Sequence, residues 1–215
     1  MRPISAQDIA TAREPWVWDL GNQVLYDLCA NNHRHTEDGI IIAKTWLIGR
    51  SYAASIERRR NVDFVGGDFY VDVVAPRIRL SQIDDWLDSI VDGHPPGSDE
   101  TIVAHKMLTD LFESFTSLEK RSLASKYLHF HKPNAFFIYD SRAMQAITKV
   151  VPRLSKIPDL GARHFDRPYK DFVRRCNWLC EHVREMHGEL MTPREIDKLL
   201  LAITDRELRV AKTAV

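Results

Sequence analysis

Apolar residues recur along most of this chain at intervals of three and four positions, which is the spacing of one face of an α-helix. In the segment 38–60, for example, Ile41, Thr45, Ile48, Tyr52 and Ile56 follow this spacing. The same pattern predicts helices over 7–29, with an interruption near Pro15, and over 81–91, 100–115, 116–131, 140–151, 168–186 and from 193 onward. The segment 61–80 departs from the pattern, because short extended pieces between glycine and proline breakers predict a small β-hairpin or a loop. The chain is therefore expected to be mostly α-helical.

Three predicted helices begin with residues that can cap free backbone amides. Thr116-Ser117-Leu118-Glu119 has the form of a capping box, Asp140 is a favoured N-cap residue, and Thr192-Pro193-Arg194-Glu195 combines a cap with a proline and a glutamate. The loop 94–98, His-Pro-Pro-Gly-Ser, is the clearest internal boundary. We expect one two-lobed domain over 1–215, with one lobe formed by 1–93 and the C-terminal helices and the other by 99–160.

The charge of the chain is balanced overall and uneven locally. Thirty basic residues match thirty acidic ones, so no net field draws the protein to nucleic acid. The segment 149–175 nevertheless carries eight basic residues against three acidic ones, and 58–60 is a second basic cluster. The residues expected to contact DNA phosphates are Arg58, Arg59, Lys149, Arg153, Arg163, Arg167 and Lys170. The alternative is an ordinary solvated helix surface.

Cysteine content and hydropathy indicate the cellular compartment in which the protein is expected. Three cysteines cannot all pair, so a disulfide framework is not expected and a reducing compartment is the simplest account. The N-terminus carries no recognisable secretion signal, and the most apolar segment is 11 residues long, whereas a membrane helix needs about 20. No complete set of metal ligands is recognisable. We therefore expect a cytoplasmic protein without a metal or cofactor.

The segment 120–142, KRSLASKYLHFHKPNAFFIYDSR, is the most informative part of the chain. A helix with a lysine near its start is followed by an apolar connector and then by Asp140 at the start of the next helix. This arrangement resembles the helix-hairpin-helix DNA glycosylase superfamily, and especially its archaeal 8-oxoguanine glycosylases. Their AxKMxYY and IPxDxR blocks are similar to 124–129 and 137–142 here. The sequence departs from the superfamily in the turn, where Ser114-Phe115-Thr116-Ser117 replaces the glycine-rich hairpin.

The resemblance implies a catalytic role for Asp140 and, in a lyase-type enzyme, for a lysine. When a base leaves, positive charge develops on the sugar, and a fixed carboxylate near the anomeric carbon stabilises that charge. Asp140 is the candidate carboxylate, and a purely structural N-cap is the alternative. Lys120 is the candidate Schiff-base nucleophile, and Lys126 is the alternative amine.

A glycosylase also needs a pocket for the flipped base, with aromatic walls and hydrogen-bonding groups. The resemblance implies that the early helix around Arg50 lines this pocket and that residues around the lysine and Asp140 contact the substrate. The candidate substrate-binding residues are Trp46, Arg50, Ser51, Tyr52, Lys126, Tyr127, His129, His131, Tyr139 and Arg142. Packing of these side chains in an ordinary core is the alternative.

The predicted function is that of a monomeric DNA glycosylase that excises a modified base from double-stranded DNA. The resemblance suggests an oxidised purine. The missing hairpin and the unusual pocket helix favour a divergent target, such as the bulky glucosylated hydroxymethylcytosine of phage DNA in antiviral defence.

Two alternative functions stay open at this point. Arg175 and His182, separated by six residues on a predicted helix, are similar to the active motif of the all-α HEPN-type ribonucleases. The other alternative is a non-catalytic helical nucleic-acid-binding module, in which Asp140 is only a helix cap. Abasic-site formation on duplex DNA would distinguish a glycosylase from both.

Overall fold

Every regular element in the described part of the chain is helical. The structure, a computed structural model, describes residues 2–58, 64, 66–162 and 164–213, with the backbone alone for 205–213. The helices are α1 (Ala6–Arg13), α2 (Asp19–Asn31), α3 (Asp38–Ser51), α4 (Ala75–Arg79), α5 (Ile83–Asp88), α6 (Asp99–Thr116), α7 (Arg121–His131), α8 (Ser141–Val150), α9 (Arg167–His187) and α10 (Pro193–Thr213). A π-helical turn (Tyr70–Val74) precedes α4, and a 3-10 turn (Leu154–Lys156) follows α8. The predicted mostly α-helical fold is confirmed.

The segment 61–80 contains helix where a hairpin or a loop is predicted. Its later residues form the π-helical turn and α4. Asp68 begins this turn, since its carboxylate accepts a hydrogen bond from the amide of Tyr70 at 2.8 Å. Val74 and Ile78, four positions apart, are fully buried on one helical face. Burial of that face outweighs the β-propensity of the valines in the turn.

Two of the three predicted caps form. The Asp140 carboxylate accepts a hydrogen bond from the amide of Ala143 at 2.8 Å and so begins α8. Before α10, the Thr192 hydroxyl accepts from the amide of Glu195 at 3.2 Å, and the Glu195 carboxylate accepts from the amide of Thr192 at 2.7 Å. This reciprocal pair is a complete capping box. Both helices therefore begin where the sequence predicts.

The capping box predicted at 116–119 is wrong, which changes the position of Lys120. Thr116 is the last residue of α6, and its hydroxyl donates to the Phe112 carbonyl at 2.7 Å instead of accepting from an amide of α7. Ser117 then turns the chain with a left-handed φ of 57°. Helix α7 begins at Arg121, so Lys120 is its N-cap residue rather than a residue of its first turn.

Helix α7 lies at the centre of the helical packing. It packs against α2, α3 and α6, and every residue from Leu123 to Phe130 is buried. The polar members of this stretch, Ser125, Lys126 and His129, must therefore find hydrogen-bond partners inside the protein. Helix α8 packs against α9 and α10, and α1 packs against α10. These contacts bring the N-terminus of α8 and the first turns of α10 into the neighbourhood of α7.

None of the described helices combines the length and the apolar character that crossing a bilayer requires. Helix α9, one of the longest, carries charged residues along its whole length.

Candidate active site

Lys126 has no exposed surface, and three oxygen atoms surround its ammonium group. Its Nζ atom donates to the Ser122 hydroxyl and to the Tyr139 carbonyl, both at 2.8 Å. The Oδ2 atom of Asp140 lies 3.6 Å from the same Nζ atom. Burial lowers the pKa of Lys126, and the negative charge of Asp140 opposes this shift. The lysine is a firmly held cation beside Asp140.

Asp140 lies between this buried cation and the solvent. Its side chain keeps 26% of its surface exposed. Its Oδ1 atom caps α8 through the amide of Ala143, and a helix N-terminus favours negative charge at this position. The connector before it is fixed to α7, because the Ser125 hydroxyl accepts from the amide of Tyr139 at 3.0 Å. The carboxylate is therefore both well positioned and accessible from one side.

A second carboxyl group, that of Asp197 on α10, interacts electrostatically with Asp140 and Lys126. Burial raises the pKa of Asp197 to about 6, and Arg194 opposes the shift from a distance of 2.6 Å between Nη1 and Oδ2. Sequence analysis missed Arg194 and Asp197 as site residues, since an i, i+3 pair on a charged helix is typical of a surface. Only the packing of α10 against α8 reveals their position.

Lys120 lines a cavity of about 270 Å³ at the start of α7, which we call the Lys120 cavity. Its wall also includes Ala53, Arg58, Glu119 and Ser122. The Lys120 ammonium donates to the Arg58 carbonyl, and burial lowers the pKa of this lysine. A lowered pKa increases the fraction of neutral, nucleophilic amine. Ser122 connects the cavity to Asp140, because its hydroxyl accepts the hydrogen bond from Lys126.

The loop after α3 forms one wall of the Lys120 cavity. Helix α3 is shorter than the sequence predicts and ends at Ser51. The amide of Ala54 donates to the Gly49 carbonyl at 2.8 Å, and a Cβ atom on Gly49 would lie 3.1 Å from the Cα atom of Ser55. Ala53 adopts a left-handed φ of 50°, a strained conformation of the kind that concentrates at functional sites. The loop therefore folds back closely over the end of α3.

The residues of α3 predicted to form the base pocket do not line the Lys120 cavity. Trp46, Arg50 and Ser51 are exposed, and Arg50 forms an ion pair with Glu57. Tyr52 is different, since its ring centroid lies 5.7 Å from the Nζ atom of Lys126. Of the four predicted residues in this region, the structure brings Tyr52 alone to the surroundings of Asp140.

Tyr127 and His129, two of the predicted substrate contacts, lie in the core. Neither has exposed surface. The Tyr127 hydroxyl and the Nε2 atom of His35 are hydrogen-bonded at 2.8 Å. His129 bonds through Nδ1 to the Phe136 carbonyl at 2.8 Å and through Nε2 to the Tyr26 hydroxyl at 2.7 Å. Burial lowers the pKa of His129 to about 4. Both side chains support α7 from inside.

The other predicted substrate contacts have mixed positions. His131 lines a different cavity of about 370 Å³, together with Cys29 and Lys132. Tyr139 contributes its carbonyl to Lys126, while its ring packs on Phe172 with centroids 5.3 Å apart. Arg142 is exposed in the first turn of α8, close to Asp140 in sequence. Arg142 and Tyr139 therefore flank Asp140, whereas His131 does not.

The predicted phosphate contacts divide into exposed, buried and undescribed residues. The exposed ones are Arg58, Lys149, Arg153 and Arg167. Lys170 is buried, with its Nζ atom 3.2 Å from an Asp159 oxygen and 3.9 Å from the centroid of the Phe165 ring. This side chain is therefore held below the surface by contacts within the protein. Arg59 and Arg163 lie outside the described residues.

A ribonuclease-type site at Arg175 and His182 has less support in the structure, and so does a metal site. Arg175 and His182 lie two turns apart on α9, where His182 stacks on Trp178 with ring centroids 4.7 Å apart. The His182 ring is therefore occupied by packing. Among the described residues, no three His, Cys, Asp or Glu side chains are grouped as a metal ion requires.

The structure thus brings Asp140, Lys126, Tyr52 and Asp197 into one polar cluster and places Lys120 in a cavity connected to it by Ser122. Comparisons with protein-family models, with curated proteins and with solved structures find no match to this chain.

Proposed function

We propose that this protein is a DNA glycosylase that excises a modified base from double-stranded DNA. The observation that carries the proposal is the setting of Asp140, a partly exposed carboxylate at the N-terminus of α8 with the Lys126 ammonium 3.6 Å away. The resemblance of 120–142 to the helix-hairpin-helix glycosylases supports the same assignment. A helix cap alone does not require a buried lysine beside it.

In the proposed reaction, the bond between the base and the anomeric carbon breaks, and its electron pair leaves with the base. The positive charge that develops on the sugar is stabilised by the Asp140 carboxylate. Lys126 and the α8 N-terminus hold this carboxylate in place. A nucleophile, either water or a neutral lysine amine, then adds to the anomeric carbon and passes one proton to Asp140 as the new bond forms.

Between the two lysines, Lys120 is the better candidate for the amine. Lys126 has no exposed surface, and its ammonium group is surrounded by oxygen atoms of the protein that accept its hydrogen bonds. Lys120 lines an open cavity and its pKa is lowered by burial. We assign covalent chemistry, if the enzyme is a lyase, to Lys120. Lys126 is then a positioning residue that acts through Asp140.

The test of this function is release of base from DNA. Purified protein is incubated with a panel of duplexes that carry oxidised purines or modified cytosines, and with phage genomic DNA containing glucosylated hydroxymethylcytosine. Abasic sites are then detected chemically. Asp140→Asn should abolish base release while preserving the fold, because the amide keeps a capping oxygen and removes the negative charge. Weakening of the α8 cap should contribute no more than about 2 kcal/mol to any loss of stability.

The matched control is Asp38→Asn. Asp38 is another carboxylate in the first turn of a helix, and it pairs with Arg79 at 2.9 Å on the surface. This variant should release base at the wild-type rate. Near wild-type activity in Asp140→Asn would show that Asp140 is only a cap, and absence of abasic sites on every substrate would remove the glycosylase proposal.

A further inference from the structure

A groove of about 200 Å³ lies between the end of α5 and the first two turns of α6. It shares no wall residue with the Lys120 cavity. Its wall, which we call the acidic groove, consists of Trp86, Ser89, Asp99, Glu100, Val103 and Ala104. Because the groove is smaller than typical ligand sites of about 300–1,000 Å³, it has room for one side chain rather than for a large cofactor.

The apolar part of the acidic groove is anchored in the core. Ala104 is buried, and Val103 is partly buried. Trp86 packs against the core and keeps part of its surface accessible. An indole ring attracts cations to its face, and the methylene stem of a lysine or arginine packs on apolar surface while its head group stays in water. These three side chains therefore suit a long, positively charged side chain.

The two carboxylates of the acidic groove have no cation of their own. Asp99 and Glu100 lie in the first turn of α6, are exposed and form no ion pair with any residue that the structure describes. Hydrogen bonds from its own amide and from the Ser98 hydroxyl lower the pKa of Glu100, so this group is negatively charged at neutral pH. A cationic head group gains two partners here without displacing an existing ion pair.

The surroundings of the acidic groove add further negative charge. The segment 81–105 contains six acidic residues and no lysine or arginine. On α5, Asp84 is held by the His35 ring at 2.6 Å and Asp88 by Arg34 at 2.7 Å. Asp85 is exposed and forms no ion pair within the described part of the chain. This surface therefore repels a DNA backbone and attracts a partner with several positive charges.

We propose that the acidic groove binds a lysine or arginine side chain from a basic segment of a partner protein. The stem packs on Trp86 and Val103, and the head group lies against Asp99 and Glu100. Val91, which is 59% exposed, adds apolar surface that an apolar residue of the segment covers and a free polyamine does not. This binding goes beyond the proposed base release and does not depend on it.

The experiment is an NMR titration of the full chain with the peptide GKLKGRG, capped at both ends, which carries three positive charges and one leucine. The chain has five tryptophans, and the indole signal of Trp86 is the one that Trp86→Phe removes. That signal should shift saturably, and added salt should weaken the binding. The same peptide with acetyl-lysine and citrulline keeps the stems without the charges, and it should give no saturable shift.

Two double variants test the carboxylates at equal net charge. Asp99→Asn with Glu100→Gln removes both carboxylates of the groove and should weaken peptide binding about threefold to tenfold. Glu113→Gln with Glu185→Gln is the matched control, because both residues are exposed and lie outside the groove, at the other end of α6 and on α9. The control should bind the peptide as wild type does.

Five results would overturn the inference. The first three are an unmoved Trp86 signal, equal affinity for the neutral peptide, and equal loss in the two double variants. Spermidine that binds as tightly as the peptide would assign the groove to free polyamines. Self-association of the wild type that Asp99→Asn with Glu100→Gln abolishes, measured by sedimentation, would assign it to a second copy of this chain.

Discussion

A buried lysine is stable only where protein oxygen atoms replace its water shell, and Lys126 meets this condition. Lys126→Met keeps most of the apolar volume but leaves the Tyr139 carbonyl and Asp140 without their donor. We expect it to lower the free energy of unfolding by about 1–3 kcal/mol, measured by urea denaturation. Lys106→Met is the matched control, since Lys106 pairs with Asp110 on the surface and should change stability by less than about 1 kcal/mol. Equal losses would show that the buried contacts of Lys126 stabilise nothing.

Lys120 and Lys126 also differ in the covalent chemistry open to them. If the protein is the proposed glycosylase and acts as a lyase, borohydride should trap a covalent complex with DNA in the wild type and in Lys126→Gln. Lys120→Gln should abolish trapping, because the cavity-lining amine is removed. Trapping that survives in Lys120→Gln and disappears in Lys126→Gln would identify the buried lysine as the nucleophile. An enzyme that uses water would give no trapping in any variant while still releasing base.

For single residues, sequence prediction succeeded where the determinant is local. The cap at Asp140 depends on backbone geometry within three residues, and it forms as predicted. The burial of Asp197 and Tyr127 depends on which helices pack together, and the spacing of residues along the sequence does not predict that packing. Asp197 was therefore missed, and Tyr127, which the sequence analysis lists as a substrate contact, lies in the core.

At the level of elements, the turn between α6 and α7 is the part most open to a direct test. Ser117 adopts a left-handed φ of 57°, a conformation that glycine accepts without steric cost. Ser117→Gly should raise the free energy of unfolding by up to about 1 kcal/mol, and Ser117→Val should lower it. The two melting temperatures, measured under the same conditions, check this. A Ser117→Val variant as stable as wild type would show that the turn is relaxed in solution.

The helices themselves were largely predictable and their connections were not. The spacing of apolar residues identifies α2, α6, α8 and α9 from the sequence alone. In the structure, each of these helices buries one face. The false capping box at 116–119 satisfied the residue pattern, but the chain uses Thr116 to end a helix. The early end of α3 depends on Gly49, which permits the close approach of Ser55. Both outcomes are set by contacts between segments rather than by local preference.

For the whole molecule, buried histidines predict a loss of stability in acid. Burial lowers the pKa of His105 and His129 from 6.5 to about 4, so the unfolded chain binds protons in this range that the folded chain does not. Stability should therefore fall as pH decreases from 6.5 to about 4, by up to about 1.4 kcal/mol per pH unit for each histidine. Asp197, whose pKa is raised from 3.8 to about 6, opposes this fall with a single proton. Urea denaturation at several pH values measures the slope.

The control compares two histidine variants. His105→Gln should reduce the pH slope by up to one proton, because His105 has no exposed surface. His164→Gln is the matched control at the surface, since the His164 side chain is 54% exposed and its Nε2 atom lies 3.6 Å from an Asp110 oxygen. A slope that both variants leave untouched would contradict the assignment of acid sensitivity to the buried histidines.

If the protein is the proposed glycosylase, its exposed basic residues are expected to contact the DNA phosphates. Neutralising Arg153 and Arg167 together should weaken binding to every duplex and reduce the salt slope by about 0.9 for each phosphate that the variant no longer neutralises. Lys170→Gln is the control, because its ammonium is held by Asp159 under the surface and should not change the slope. Binding measured by fluorescence anisotropy across a salt series provides both values. An unchanged slope in the double variant would make these arginines a solvated surface.

The central position of α7 determines how the protein unfolds. Since every residue from Leu123 to Phe130 is enclosed by α2, α3 and α6, the helix cannot open locally, and its amides should exchange with deuterium only through global unfolding. Ser125 and Lys126, which fix the Asp140 carboxylate, belong to this segment. These two side chains should therefore lose their positions around Asp140 only when the whole protein unfolds. A destabilising change far from Asp140 should lower activity only in proportion to the fraction of molecules that unfold, and leave the activity of each folded molecule unchanged.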